Sequence, residues 1–150
     1  MAQSLVQIYV HIIFSTKNRL PLIMPDYETD LYQYLTNQCN LSGCPALEVG
    51  GHVDHVHILC RLSKHSTIPK LLEKVKGSSS KWMKTKHPLL SEFYWQDGYG
   101  AFSVSPNEID KVISYIKHQH EHHVDKTFKT EYLEFLKRFD VDYDERFLWD

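Results

Sequence analysis

Apolar and polar positions alternate along the first segment of the chain, residues 5–14. One face of this segment is apolar and consists of Val6, Ile8, Val10, Ile12 and Phe14. The opposite face carries Gln7, Tyr9 and His11, a polar and aromatic set that solvent or a ligand can reach. Because successive strand side chains point to opposite faces of a sheet, the alternation predicts a half-buried first strand.

Beyond this strand the apolar spacing becomes helical. Asp26 is the predicted cap of a first helix, which should end near Gly43, and a second helix should begin at Ser66 or Thr67. The buried stripe predicted for the second helix comprises Ile68, Leu71, Leu72, Val75, Trp82 and Met83. Between the two helices, residues 46–50 and 54–62 read as strands joined by a turn over residues 51–54.

The last third of the chain contains strong turn and helix-start signals. Asp97-Gly98 between residues 93–96 and 99–104 predicts a β-hairpin. Ser105, Pro106 and Glu108 predict a capping box at the start of a third helix, and residues 130–139 predict a last helix. An acidic tail follows.

The element order is therefore β-α-β-β-α-β followed by helices. This order predicts one α+β domain over residues 1–150, a ferredoxin-like or RNA-recognition-like split βαβ sandwich. We expect an antiparallel sheet with helices on one face, plus C-terminal helices.

Charge is segregated along the chain although the net charge is only −2. Residues 61–86 contain eight lysines and arginines against one glutamate, whereas the last twenty residues contain seven acidic side chains against three basic ones. The basic block favours a polyanionic partner, and a solvated lysine-rich helix face explains it equally well. Three cysteines without a C-x-x-C pair favour free thiols in a reducing cytoplasm, and the absence of a run of about 20 apolar residues argues against a membrane span.

Two histidines stand out within the predicted strand over residues 54–62. His55 and His57 share one strand face, about 7 Å apart along the strand, and can converge on one divalent ion. The alternative interpretation is a strand that carries two half-exposed histidines.

A tyrosine and a glutamine lie one turn apart on the third predicted helix. The buried stripe of that helix consists of Ile109, Val112, Ile113 and Ile116. Tyr115 and Gln119 project from one flank of the stripe, and His122 continues their row. An amphipathic tyrosine and a surface glutamine would produce the same pattern.

Together these residues indicate phosphodiester chemistry. A tyrosine hydroxyl has an ordinary pKa of about 10, so it needs a metal to activate a phosphodiester for its attack. Two imidazoles and an amide oxygen form a mixed nitrogen and oxygen ligand set, which suits Mn²⁺ and tolerates Mg²⁺.

Five segments resemble the small HUH-type, single-tyrosine transposases of bacterial insertion sequences and their repeat-associated, domesticated relatives. The segments are VHIIFSTK at residues 10–17, DHVHIL at 54–59, KGSS at 76–79, WQDGYGAFSV at 95–104 and YIKHQ at 115–119. The resemblance implies that His55 and His57 bind the metal, that Gln119 is the third ligand and that Tyr115 is the nucleophile. Four neighbouring histidines are alternative ligands that could replace or supplement Gln119, with His122 best placed by helical phase: His118, His120, His122 and His123.

The resemblance also implies a function. We expect a metal-dependent, single-stranded-DNA transposase that cleaves element ends through a 5′-phosphotyrosine intermediate, rejoins the strands and recognises DNA hairpins. A homodimer with shared active sites, Mg²⁺ or Mn²⁺ as cofactor and a cytoplasmic, nucleoid-associated location complete the expectation. The expected phosphate contacts are Lys17, Arg19, Lys70, Lys74, Lys76 and Lys81. The alternatives are a domesticated repeat-cleaving endonuclease and a non-catalytic nucleic-acid-binding module that stacks bases on Tyr9 and His11.

Overall fold

The computed structural model of the chain describes residues 2–150, which form a four-stranded antiparallel sheet with helices on both faces. The elements in chain order are β1 (Tyr9–Ser15), α1 (Pro25–Leu41), β2 (Ala46–His52), β3 (His55–Arg61), α2 (Ile68–Lys84), β4 (Gly100–Val104), α3 (Ile109–Lys117), α4 (Gln119–His122) and α5 (Phe128–Arg138). The strand order in the sheet is β2-β3-β1-β4. Among residues 2–150, no helix combines the length and the apolar character needed to cross a membrane.

The main core lies between the sheet and helices α1 and α2. β1 contributes Val10, Ile12 and Phe14 to it, as the alternating pattern predicts. The buried residues that α1 and α2 contribute are Leu31, Leu35, Cys39, Leu71, Leu72, Val75 and Met83. Burial of these two amphipathic faces on one side of an antiparallel sheet supplies most of the apolar area that drives folding.

Helices α3, α4 and α5 cover the other face of the sheet. A second, smaller cluster forms there around Ile13 of β1 and Phe102 of β4. Two glycines let the helices approach closely. A Cβ at Gly50 would lie 2.9 Å from Ile116 of α3, and one at Gly100 would lie 2.8 Å from the ring of Tyr132 of α5.

The predicted fold class is confirmed, and most differences concern the ends of elements. β1 begins at Tyr9, so the predicted strand residues 5–8 lie before it, and Val6 and Ile8 are exposed. α1 is capped at Met24 with Pro25 in its first turn, so Asp26 lies inside the helix instead of capping it. α5 begins two residues before the predicted start, after a cap at Thr127.

The predicted hairpin around Asp97-Gly98 is wrong. β4 pairs with β1, and Trp95 forms a single antiparallel bridge with Thr16 at the end of β1. Gln96 anchors this segment, because its side chain accepts a hydrogen bond from the Ser15 amide at 2.8 Å and its own amide donates to the Ser15 carbonyl at 2.9 Å. Pairing with the central strand buries more apolar surface than a two-stranded hairpin, so tertiary contacts override the local turn signal.

The predicted capping box is also wrong. The Ser105 hydroxyl donates a hydrogen bond to the Asn107 side chain at 2.7 Å and accepts none from a helix amide. Residues Pro106–Glu108 form a 3₁₀ turn before α3. The tyrosine helix is moreover not continuous. It breaks at His118, whose φ of −104° and ψ of 26° separate α3 from α4.

Candidate metal centre and tyrosine

His55 and His57 lie side by side on the sheet face that α3 to α5 cover, and both are fully buried. Their Nδ1 atoms have separate partners. The Asp54 carboxylate is 2.7 Å from Nδ1 of His55, and Nε2 of His11 is 2.8 Å from Nδ1 of His57. Each partner fixes the orientation of its ring, so that both Nε2 atoms face the same interior point. Hydrogen bonding of this kind, to the nitrogen that does not bind metal, is typical of metal-ligating histidines.

Gln119, the predicted third ligand, lies in this cluster. Its side-chain oxygen is 3.0 Å from Nε2 of His55 and 3.0 Å from Nε2 of His123. His122 lies outside the cluster and stacks on Tyr115, with ring centroids 4.7 Å apart. The helical phase that favoured His122 assumed a continuous helix, and the break at His118 brings His123 to the histidine pair instead.

Glu131 of α5 also lies in the cluster, and it is not among the site residues predicted from the sequence. Its Oε1 atom is 3.2 Å from Nε2 of His57, and 3.3 Å from those of His55 and His123. The side chain is 1% exposed. The sequence does contain a signal: residues 128, 131, 132, 135 and 136 form one helical stripe, and a carboxylate is the second member of this otherwise apolar and aromatic series.

Tyr115 lies directly beside these groups in the same chain. Its hydroxyl donates a hydrogen bond to the second carboxylate oxygen of Glu131, and its ring meets the His57 ring edge-on at 5.7 Å between centroids. Burial, reinforced by the adjacent Glu131 carboxylate, raises the pKa of Tyr115. The phenol is therefore neutral in this state of the protein.

The charges in the cluster are strongly coupled. Burial alone would lower the pKa of His55, but the Asp54 and Glu131 carboxylates outweigh it and raise that pKa to about 9. Burial dominates at His57, whose pKa is lowered. Burial opposes ionisation of Glu131, yet hydrogen bonds from the three surrounding histidines hold its pKa far below the ordinary value. A buried anion thus faces imidazoles that can exchange a proton for a metal ion.

The donor set fits a divalent cation. Three buried side chains each offer one ligand atom, and these atoms lie within 4.8 Å of one another: His55, His57 and Glu131. Two imidazole nitrogens and one carboxylate oxygen are a common ligand set for first-row transition metals, and the amide oxygen of Gln119 lies next to them.

Two cavities flank Tyr115. A cavity of about 490 Å³ is lined by His11, Lys111, Phe135, Arg138 and Phe139 among others, and a smaller one of about 200 Å³ by His122, Lys126, Glu134 and Arg138. Both contain Tyr115 in their walls. Cations and aromatic rings next to the tyrosine suit the phosphates and bases of a nucleic-acid strand. None of Lys111, Lys126 and Arg138 is among the DNA contacts predicted from the sequence.

Three of the predicted phosphate contacts lie far from this site. Lys70, Lys74 and Lys81 line a groove of about 680 Å³ on α2, which packs on the opposite face of the sheet from Tyr115. Lys17 and Arg19 follow the end of β1. Lys17 is 3.9 Å from the Asp97 carboxylate, and the Arg19 guanidinium stacks 5.2 Å from the centre of the Trp149 ring.

The structure argues against Lys76 as a phosphate contact. Its ammonium group donates to the backbone carbonyls of Gln96, Asp97 and Gly98 at 2.9, 3.2 and 2.7 Å. Burial lowers the pKa of Lys76 to about 8. All three of its protons are used to hold the segment before β4, so it has a structural role in this state of the protein.

Comparisons with known proteins bear on the family and the fold of the chain. The family model described as "Transposase IS200 like" matches residues 4–119. Among solved structures, a presumed transposase from Deinococcus radiodurans R1 superposes with a TM-score of 0.62 and 22% identity, over 79% of this chain and 98% of that chain. A REP-associated tyrosine transposase, solved bound to a REP hairpin, superposes with a TM-score of 0.59 and 12% identity, over 96% of this chain and 91% of that one. The search of curated proteins found no match.

The matched region contains β1 to β4 and α1 to α3, and it ends at Gln119. His55, His57 and Tyr115 lie inside it, whereas His123 and Glu131 lie in the segment that follows. The structural neighbours are below 25% identity and bear on the fold alone. Because the family model covers more than three quarters of the chain, this protein is a member of the IS200-like transposase family.

Proposed function

We propose that this protein cleaves and rejoins single-stranded DNA with Tyr115 as the nucleophile and a divalent metal as cofactor. The observation that carries the proposal is the position of the Tyr115 hydroxyl, which hydrogen-bonds to Glu131 while the same carboxylate contacts His55 and His57. A nucleophile and a ligand set thus meet at one buried point. His55, His57 and Gln119 would hold Mn²⁺ or Mg²⁺, and the nitrogen donors favour Mn²⁺.

The proposed reaction is a transesterification. The bound metal would neutralise charge on the non-bridging phosphate oxygens. Tyr115 Oη forms a bond to phosphorus, its proton leaves, and the bond from phosphorus to the 3′ oxygen breaks, with that oxygen leaving as a 3′-hydroxyl. The product is a 5′-phosphotyrosine link. Attack by another 3′-hydroxyl reverses the step at a new junction and releases Tyr115, so no ATP is needed.

The DNA is proposed to contact two surfaces. The cleaved strand would cross Tyr115 between the two flanking cavities, where Arg138 lines both and can contact a phosphate. A hairpin stem would lie along the α2 groove with Lys70, Lys74 and Lys81. The fold neighbour solved with a REP hairpin supports a hairpin as the substrate class. Lys17 and Arg19 remain proposed contacts at the end of β1.

Excision of an element requires two cleavages, so we propose a homodimer with two centres. Shared active sites are the expectation from the sequence, whereas the contact between Tyr115 and His57 of the same chain supports a centre built within each subunit. Each subunit would then build its own centre. Such an enzyme would act in the cytoplasm at the bacterial nucleoid. Whether it moves an element or processes chromosomal repeats depends on its substrate, and both activities use the same chemistry.

A non-catalytic binding module is the main rival. That function would need Tyr9 and His11 as open stacking groups, and His11 is 2% exposed and engaged with His57. Its burial argues against base stacking on this sheet face and for a supporting role at the histidine pair.

Covalent trapping tests the proposal. The protein is incubated with Mn²⁺ and hairpin-bearing single-stranded oligonucleotides labelled at the 3′ end, and adducts are resolved on a denaturing gel. We expect an adduct with the unmodified chain and with Tyr99→Phe, a control at an exposed tyrosine, and none with Tyr115→Phe. An adduct that persists in Tyr115→Phe would assign the chemistry to another residue. The absence of any adduct with the unmodified chain, despite DNA binding, would favour the binding module.

A further inference from the structure

Glu131 belongs to a part of the chain that the family match does not reach. The match ends at Gln119, and α5, which carries Glu131, begins nine residues later at Phe128. The helix is held on the sheet by Phe128, Tyr132, Phe135 and Leu136, all buried in the second apolar cluster. The carboxylate therefore has a fixed position, set by the packing of four large side chains around it.

The two oxygens of this carboxylate have different neighbours. Oε1 is 3.2–3.3 Å from Nε2 of His55, His57 and His123, and Oε2 accepts the hydrogen bond of the Tyr115 hydroxyl. Glu131 is thus in contact with both the histidine pair and the nucleophile.

The spacing of the donor atoms matches a coordination shell. Metal–ligand bonds of about 2.1–2.2 Å at right angles leave neighbouring ligand atoms about 3.0–3.1 Å apart. The separations around His55 Nε2 are 3.0 Å to Gln119 Oε1 and 3.3 Å to Glu131 Oε1. Small movements would allow the same atoms to surround one ion. Neutral imidazoles do not balance the positive charge of a buried divalent cation, whereas the Glu131 carboxylate does so in part.

We propose that Glu131 is a ligand of the divalent metal through Oε1 and positions the Tyr115 hydroxyl through Oε2. This inference rests on the proposed function, because it assigns a further residue to the same centre. Its consequence is that the segment after residue 119 completes the active site. Metal binding and placement of the nucleophile would then be coupled through one side chain.

The alternative is a purely structural ion pair between Glu131 and protonated histidines. The two cases differ in metal affinity, which calorimetric titration with Mn²⁺ measures without substrate. We expect Glu131→Gln to weaken Mn²⁺ binding at least tenfold. The matched control is Glu134→Gln on the same helix, at an exposed carboxylate paired with Lys126, and it should bind Mn²⁺ as the unmodified chain does. Unchanged affinity in a folded Glu131→Gln protein would overturn the ligand assignment.

Positioning of Tyr115 has a separate readout. At saturating Mn²⁺, Glu131→Gln should still form the covalent adduct at least tenfold more slowly than the unmodified chain. Glutamine has a single side-chain oxygen, and when that oxygen binds the metal the NH₂ group faces the Tyr115 hydroxyl and cannot accept its hydrogen bond. Recovery of the full rate at high Mn²⁺ would leave Glu131 as a ligand and overturn its positioning role.

A measurement on the unmodified chain avoids any folding defect of the variant. Crystals soaked in Mn²⁺ should give an anomalous peak about 2.0–2.3 Å from Glu131 Oε1 and from both histidine Nε2 atoms. A peak bound by His55 and His57 with Glu131 more than about 4 Å away overturns this inference and leaves the proposed function intact. Absence of any Mn²⁺ binding in crystals and solution would count against both.

Discussion

The close contact between β2 and the tyrosine helix makes a single methyl group a sensitive probe of the site. A Cβ at Gly50 would lie 2.9 Å from both the Cγ2 atom and the backbone oxygen of Ile116, the residue after Tyr115. Ordinary contacts begin at 3.4 Å, so α3 has to move outwards by about 0.5 Å. A side-chain rotation cannot relieve the clash, because one of the two atoms belongs to the backbone.

Gly50→Ala should therefore destabilise the protein. Overpacking of this kind costs about 1–3 kcal/mol, and the lower entropy of the unfolded alanine chain offsets about 0.4–1 kcal/mol of it. We expect a net loss of about 1–2 kcal/mol in the free energy of unfolding, measured by urea titration, and a fall in Tm of about 2–4 °C per kcal/mol. Adduct formation should slow about tenfold or more at temperatures where the variant is folded, because Tyr115 moves with α3.

Gly77→Ala is the matched control. Gly77 lies within α2, and a Cβ there meets nothing within 4 Å. The same substitution should stabilise this helix by about 0.5–1 kcal/mol. Because Gly77 lines the α2 groove, adduct formation is compared at saturating DNA, where its rate should be unchanged. If Gly50→Ala were as stable and as active as the unmodified chain, the packing of α3 on β2 described above would be refuted.

Three further predictions concern charge and assembly. Below the His55 pKa of about 9, a bound metal must displace a proton, so Mn²⁺ affinity should fall about tenfold per pH unit on acidification. Calorimetry in buffers of different ionisation enthalpy measures the proton release, and an Mn²⁺ affinity that stays constant from pH 8 to 6 would contradict this prediction. Lys74→Gln should reduce the slope of the logarithm of hairpin affinity against the logarithm of salt concentration by about one. Lys76→Met should leave that slope unchanged and lower the free energy of unfolding by about 1–3 kcal/mol. A mixture of His57→Ala and Tyr115→Phe subunits should stay inactive, and cleavage by the mixture would indicate exchanged tyrosine helices.

The site shows where a local pattern is sufficient and where it is not. The alternation around His55 and His57 predicted one shared strand face, and the structure has both rings there. The pattern around Asp97-Gly98 predicted a hairpin, and its failure has a physical cause: residues 100–104 gain more by pairing with β1, an interior strand of the sheet, than with the nearby residues 93–96. Helical phase failed at His122 because the helix breaks at His118, after which α4 lies against β2.

What the sequence determined by itself was periodicity. That periodicity predicted most of the helices and strands, the order β-α-β-β-α-β, and the candidate residues His55, His57, Tyr115 and Gln119. These follow from local side-chain spacing, which is a property of the chain. Tertiary structure alone decided which distant groups meet. Glu131 is 74 residues from His57, and Lys76 is 20 from the Gln96 carbonyl it holds. Such contacts arise because burial of apolar faces brings separate elements together. A charge that is buried in this way is stable only where a neighbouring element supplies a hydrogen-bonding partner.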